Sequence, residues 1–324
     1  MNAAAIVKSA ASRAPFAYWH ETTLALLLGL VFVVAGTLEP RFIGPSIQVR
    51  LAGESWCLAL VALPMAMIVI TAGIDLSVGS MVGLAAVVLG LAFQATGSMA
   101  LGAVAAVVTG VVAGFFNGLL IARGSIHPLI ATLATMAVYR GFALALTKGV
   151  TISGFPASFA ALVQRDMAFL PLPIWLIVIA SIAAALFLGR TAYGRFLYAI
   201  GHNETAALFS GIPVARIKLV LYTLSGLAAG IGAVLLASRY GQVKADFATG
   251  LELEVITAVV LGGVSIFGGR GNIAGVILGL ALLHECTKFV PWHWHISELN
   301  ALVTGGLLIA AVLLNSLIPR RRRY

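Results

Sequence analysis

Long apolar runs, separated by short polar or glycine-rich stretches, occupy nearly the whole chain. Ten of them are long enough to be read as membrane helices: 22–37, 56–72, 77–94, 100–121, 126–146, 173–189, 219–238, 252–267, 272–289 and 299–317. A span takes about 20 apolar residues, and several of these are shorter or interrupted by glycine. The runs are continuous and do not alternate apolar with polar, so the pattern predicts helices and not barrel strands. The expected fold class is therefore all-α, a polytopic helical bundle with some short or broken helices. Two polar stretches stand out. Residues 147–172, with GFP and PLP, read as an irregular surface loop. Residues 189–218 read as a loop holding one short helix over Glu204–Phe209, capped by Asn203 and ended by Gly211 and Pro213. Such a helix is too short to be stable alone and has to dock, with Leu208 and Phe209 available to face a partner.

Composition fixes the solvent. The 324 residues are 61% hydrophobic and 10% charged, with a mean hydropathy of +1.06. Soluble domains carry about 25% charged residues, so this is an integral membrane protein. The 35 glycines include GxxxG spacings at 79–83, 110–114, 226–230, 271–275 and 275–279, which together predict close helix packing. A single transmembrane domain over 1–324 is expected, with tails at 1–21 and 318–324.

The net charge of +9 does not indicate nucleic acid. The basic residues flank apolar runs, and four of them end the chain as Arg320–Arg323. Ten spans place both termini on one side. If that side is the cytoplasm it receives twelve Lys and Arg, among them Arg190, Arg195, Arg216, Lys218 and Arg270. The opposite side receives seven, among them Lys148, Arg239, Lys244 and Lys288, as the positive-inside rule requires. The first run lacks a small-residue cleavage site close behind it and reads as a retained helix. Cys57 and Cys286 lie in or beside apolar segments and read as packed thiols.

The chemistry concentrates in few places. GIDLSVGS at 73–80 sets Asp75 between two apolar runs, where an ionisable group is costly and faces the bundle interior or water. The glycines predict that one helix breaks at Gly73 and another restarts near Ser77, with Asp75 capping the amide of Val78 or Gly79. Asp75 and Ser77 are then either a satisfied helix terminus or a polar wall of a permeation path. Arg140 admits the same two readings: a buried partner for an acid or carbonyl, or a pathway residue.

Other motifs fall away. Gly189–Phe196 imitates a phosphate loop but has Arg for Lys and Phe for the magnesium-binding hydroxyl. FGGRGNIAG at 267–275 lacks the βαβ setting of a dinucleotide site and reads as a tight turn. His284, Cys286, His293 and His295 give a weak metal signal, because PWHWH alternates amphipathic rings beside a membrane surface. No metal, cofactor or catalytic constellation is expected, which leaves an enzyme reading nothing to build on.

Four ordered motifs carry a resemblance: AGIDLSVGS at 72–80, NGLLIARGSIHPLIATLATMAVYRG at 117–141, GRFLYAIGHNETAALFSGI at 190–212 and ITAVVLGGVSIFGGRGNIAG at 256–275. Across about residues 55–315 the chain resembles the ribose-type sugar permeases of the ATP-binding-cassette superfamily, within the branched-chain amino acid/sugar permease superfamily. The resemblance implies import of a monosaccharide across the bacterial inner membrane. It also implies a second permease copy or sister permease, a cytoplasmic ATPase and a periplasmic sugar-binding protein. It assigns Asn203, Glu204, Ala206, Leu208, Phe209 and Gly211 to the segment that couples to the ATPase. His202 departs from the family, where Gly is frequent. The run at 62–80 and the short GFP loop are nearest the rhamnose and autoinducer branches. The competing reading is a stand-alone secondary transporter or channel. A coupled carrier places several acids or histidines within its spans, whereas Asp75 stands nearly alone, with Glu252, Glu254 and Glu285 toward expected helix ends.

Overall fold

A computed structural model describes residues 19–317 except 165, 168 and 169. The basic tail Arg320–Arg323, together with Lys8, Arg13 and Arg165, lies outside the described residues. Each expected apolar run forms a helix. In chain order these are α1 (Trp19–Leu38), α2 (Pro45–Ala52), α3 (Trp56–Ile70), α4 (Val78–Thr96), α5 (Met99–Ala122), α6 (Pro128–Thr147), α7 (Ala157–Gln164), α8 (Leu172–Arg190), α9 (Ala192–His202), α10 (Glu204–Phe209), α11 (Val214–Tyr240), α12 (Leu251–Leu261), α13 (Ile273–Trp294) and α14 (Leu299–Leu317). The four strands, β1 (Ile152–Ser153), β2 (Asp166–Met167), β3 (Leu170–Pro171) and β4 (Gln242–Val243), have two residues each.

Among the described residues, seven helices are long and apolar enough to cross a membrane, and α2 with α3 makes an eighth candidate as a pair bent by 55°. The ten expected runs thus correspond to ten apolar helices but not to ten full spans. α12 has 11 residues, a length of about 16 Å and roughly half of a hydrocarbon core about 30 Å thick. The expected helix 252–267 stops at Leu261 because Gly262 and Gly263 follow, the latter at φ +85, where a side chain is strained.

Burial follows composition. All fifteen residues of α3 are buried, as suits a helix that is apolar all round. α1, α6 and α8 instead leave large apolar side chains such as Leu26, Ile130 and Ile179 exposed, the pattern of faces turned toward lipid. The predicted glycine packing is realised between α5 and α11. A Cβ on Gly110 would lie 2.2 Å from the Gly226 carbonyl oxygen, and one on Gly114 2.3 Å from that of Tyr222, so these backbones touch. Gly79 and Gly83 work differently. They seat the non-helical segment 245–248, together with the side chains of Glu252 and Arg140, against α4.

Two loops are more ordered than their composition suggests. Within 147–172, Phe155 stacks edge-on against Phe93 and Phe159, and that apolar anchor lets α7 form. β1 pairs antiparallel with β4, Ile152 opposite Val243, which puts 147–172 and 239–250 at one end of the bundle, called here the strand end. At the opposite end, α9 precedes the expected short helix. Thr191 caps it by accepting from the Gly194 amide at 3.0 Å, and Gly194, Leu197 and Ile200 form its buried stripe. That i, i+3, i+6 spacing is the signal that sequence reading passed over.

Candidate functional site

The site is built around the break between α3 and α4. α3 ends at Ile70 and α4 starts at Val78. The chain between them has no helical ladder, so its polar groups need other partners. Asp75, 0% exposed, supplies them, though not as expected. Its Oδ1 accepts from the Ser77 amide at 3.0 Å and the Ser77 hydroxyl at 2.7 Å. The amides of Val78 and Gly79 are not its partners. An aspartate accepting from the amide two residues on makes a tight Asx turn, which satisfies the broken segment within itself. Its Oδ2 accepts from the Ser225 hydroxyl of α11 at 2.9 Å.

Three further helices close around this break. Asn117 of α5 donates to Ser77 Oγ at 2.7 Å. The Tyr139 hydroxyl of α6 lies 3.0 Å from Asn117 Oδ1 and 2.9 Å from the Ala113 carbonyl oxygen, with one proton to share between them. The Ile74 carbonyl, freed by the break, accepts from Tyr222 at 3.4 Å and lies 3.3 Å from the Thr132 hydroxyl, whose one proton also has the Pro128 carbonyl at 2.9 Å. Only Asp75 and Ser77 were singled out from sequence. Asn117 and Tyr139 lie within the 117–141 motif but were given no role from sequence, and Ser225 is an ordinary polar residue on an apolar helix.

Arg140 lies apart from this cluster. Its guanidinium donates to the carbonyl of Ala245, and to that of Phe247 at 3.0 Å. It therefore ties the strand-end segment after β4 to α6.

At the other end, α9 wedges between two helix breaks. The Gly269 amide donates to the Ile70 carbonyl at 2.8 Å, tying the turn after α12 to the end of α3. Tyr198 of α9 donates to the Gly271 carbonyl at 2.8 Å. A Cβ on Gly201 would fall 1.9 Å from the Ile70 oxygen and 2.4 Å from the Gly269 nitrogen. FGGRGNIAG is thus a tight turn, and Asn272 caps α13 through the Gly275 amide at 2.7 Å.

α10 follows directly. Asn203 Oδ1 accepts from the Ala206 amide at 2.9 Å. Gly211, at φ +81, closes a Schellman end in which its amide donates to Leu208 and that of Ile212 to Ala207. Ala207 is buried, while Leu208 is 59% and Phe209 85% exposed. Glu204, assigned by the resemblance to the coupling segment, pairs within the chain with Lys218 of α11 at 2.6 Å.

One sequence expectation is corrected. Glu285 does not lie toward a helix end, because α13 continues through Pro291 to Trp294. Glu285 and His284 are both buried within it, so Asp75 is not nearly alone among ionisable groups in the spans. His293 Nδ1 lies 3.0 Å from Glu39 Oε1 and its ring stacks on Phe289. Cys57 and Cys286 are free thiols.

With this geometry in place, comparison with known proteins is informative. The permease named Autoinducer 2 import system permease protein LsrD from Photorhabdus temperata is 34% identical over 312 residues, covering 94% of this chain and 94% of that one. The proteins of the same name from Escherichia coli K12 and Shigella flexneri match equally, at 34% over 94% of each chain. No solved structure matches. A family model described as branched-chain amino acid transport system / permease component matches residues 47–312. The chain belongs to that family, as a multi-pass inner-membrane permease subunit of an ATP-binding-cassette transporter and not an enzyme.

Proposed function

We propose that this protein is the membrane-spanning half of an importer that carries a small sugar-like solute, with autoinducer-2 the first solute to test. The reading adds a cytoplasmic ATPase that docks on α10, an external binding protein that delivers the solute at the strand end, and a second permease copy or a sister permease. The observation that carries it is α10 itself: a well-capped helix of six residues that leaves Phe209 85% exposed beside the two helix breaks. A helix this short gains nothing from exposing Leu208 and Phe209 unless another surface covers them. A stand-alone carrier has no such surface to offer. The orientation proposed puts this end and both termini in the cytoplasm, with Arg190, Arg195, Arg216, Lys218 and Arg270 on that side.

The break between α3 and α4, clasped by α5, α6 and α11, is proposed as the element that moves. Asp75 and Ser77 then hold a hinge, and α9 carries displacement of α10 into it through the Gly201 contact. The test is co-expression with candidate ATP-binding-cassette ATPases of the same organism, co-purification, and uptake of autoinducer-2 and D-ribose into vesicles in the presence of a candidate binding protein. Stable assembly and ATP-dependent uptake of either solute are expected. Absence of an ATPase partner, or uptake that proceeds without ATP, overturns the assignment.

A further inference from the structure

At the strand end two cavities adjoin. One, of about 360 Å³, lies between the start of α12 and α14 and is lined by Thr249, Glu254, Ser297, Glu298, Asn300 and Thr304 among others. The second, of about 380 Å³, shares Thr249 and Glu254 and extends to Glu54, Tyr240, Lys244 and Phe247. Glu254 therefore stands at the seam of one trough, with polar side chains on both sides.

Two residues that line the first cavity carry buried polar atoms without partners. Thr304 is 7% exposed, and its Oγ1 has no hydrogen-bond partner among the described residues; the same holds for the buried Oδ1 of Asn300. A threonine on a helix ordinarily donates to a carbonyl one turn back, as Thr109 and Thr257 do here. Buried polar atoms without partners are rare and costly, and they mark places where something else completes the bonding. In the second cavity the Tyr240 and Phe247 rings lie 5.6 Å apart, an apolar wall opposite the carboxylates. Arg140 holds Phe247 in that wall through its carbonyl.

We infer that this trough receives a small neutral polyol, with its hydroxyls on Glu254, Asn300 and Thr304 and its carbon face toward Tyr240 and Phe247. The groups left open are two acceptors, the Glu254 carboxylate and Asn300 Oδ1, and one hydroxyl that both donates and accepts. That set asks for a ligand with several O–H donors and at least one acceptor. The carboxylates of Glu54, Asp246, Glu254 and Glu298 outnumber the one ammonium, Lys244, and disfavour an anion. Each cavity has the volume of a small-molecule site lined by a few placed polar groups. The inference rests on the importer reading, and it adds where on this chain the solute is received.

The experiment uses the full importer, permease with ATPase and binding protein, in lipid vesicles. Uptake of D-ribose and autoinducer-2 is measured for wild type, Glu254→Gln, Asn300→Leu, Thr304→Val and Thr304→Ser. The expectation is a KM raised about tenfold or more in Glu254→Gln, Asn300→Leu and Thr304→Val. Thr304→Ser should restore the wild-type KM, and co-purification with the ATPase should be unaltered throughout. Wild-type KM in all four variants overturns the site while leaving the importer reading intact. No uptake of either solute by the wild type overturns the importer reading itself. Competition by D-glucosamine with none by D-glucose would assign the trough to a cation and overturn the polyol. Should Thr304→Val fail to assemble, Glu254→Gln alone decides.

Discussion

Replacing Asp75 tests whether the α3–α4 break is held by hydrogen bonds or only by the surrounding packing. Asp75→Ala removes three bonds at once: those from the Ser77 amide, the Ser77 hydroxyl and the Ser225 hydroxyl. All three donors are buried, with Ser77 and Ser225 both 0% exposed, so bulk water does not reach them. Polar contacts inside membrane bundles are worth about 0.6 kcal/mol on average and at most about 1.7 kcal/mol. Three of them sum to about 2–5 kcal/mol. Asp75→Asn has another outcome. The amide oxygen can keep both Ser77 contacts, and the NH2 can donate to Ser225 Oγ, because a hydroxyl also accepts. Its expected loss is about 1 kcal/mol or less. The assay is equilibrium unfolding in mixed micelles, with wild type, Asp75→Ala and Asp75→Asn compared under one condition. Asp75→Ala as stable as wild type would show that the network does not hold the break. Asp75→Asn as damaged as Asp75→Ala would show that the negative charge, not the pattern of donors, is what matters.

Four further outcomes follow from the same geometry. Gly226→Ala should push α5 and α11 apart, because its Cβ would lie 2.1 Å from the Gly110 carbonyl oxygen. A cost of about 1–3 kcal/mol is expected in the same unfolding assay, as for overpacking elsewhere, and an unchanged midpoint would contradict the packing described. Phe209→Asp should insert normally and yet lose the ATPase on purification, by about 2–4 kcal/mol if Phe209 is a buried anchor of the interface; undiminished co-purification would remove α10 as the docking element. Gly201→Ala should retain ATPase binding and lose most solute-stimulated ATP hydrolysis, since the α9 contact with both breaks has no room for a methyl; full stimulation would show that movement does not travel that way. Cysteines placed at 204 and 160 should be labelled by a membrane-impermeant reagent from inside and outside respectively, and the reverse pattern would invert the proposed orientation.

Sequence alone determined whatever depends on composition and on contacts within a few residues. Ten apolar runs became ten apolar helices because, in lipid, a backbone must satisfy itself locally. The break at GIDLSVGS and the caps of α10 were legible for the same reason: Asn203 with Ala206, and Gly211 with Leu208, act over one turn. α9 was readable in principle from its Leu197 and Ile200 stripe. Tertiary structure decided the rest, because the partners lie far apart in the chain. Asp75 meets Ser225 across 150 residues, Arg140 meets Phe247 across 107, and β1 finds β4 across a loop that looked irregular. Glu285 was misplaced because helix length past Pro291 depends on what α13 packs against. The trough at Glu254 has no motif at all. It exists because α12 starts where α14 also starts, and no local pattern of residues encodes the space between two helices.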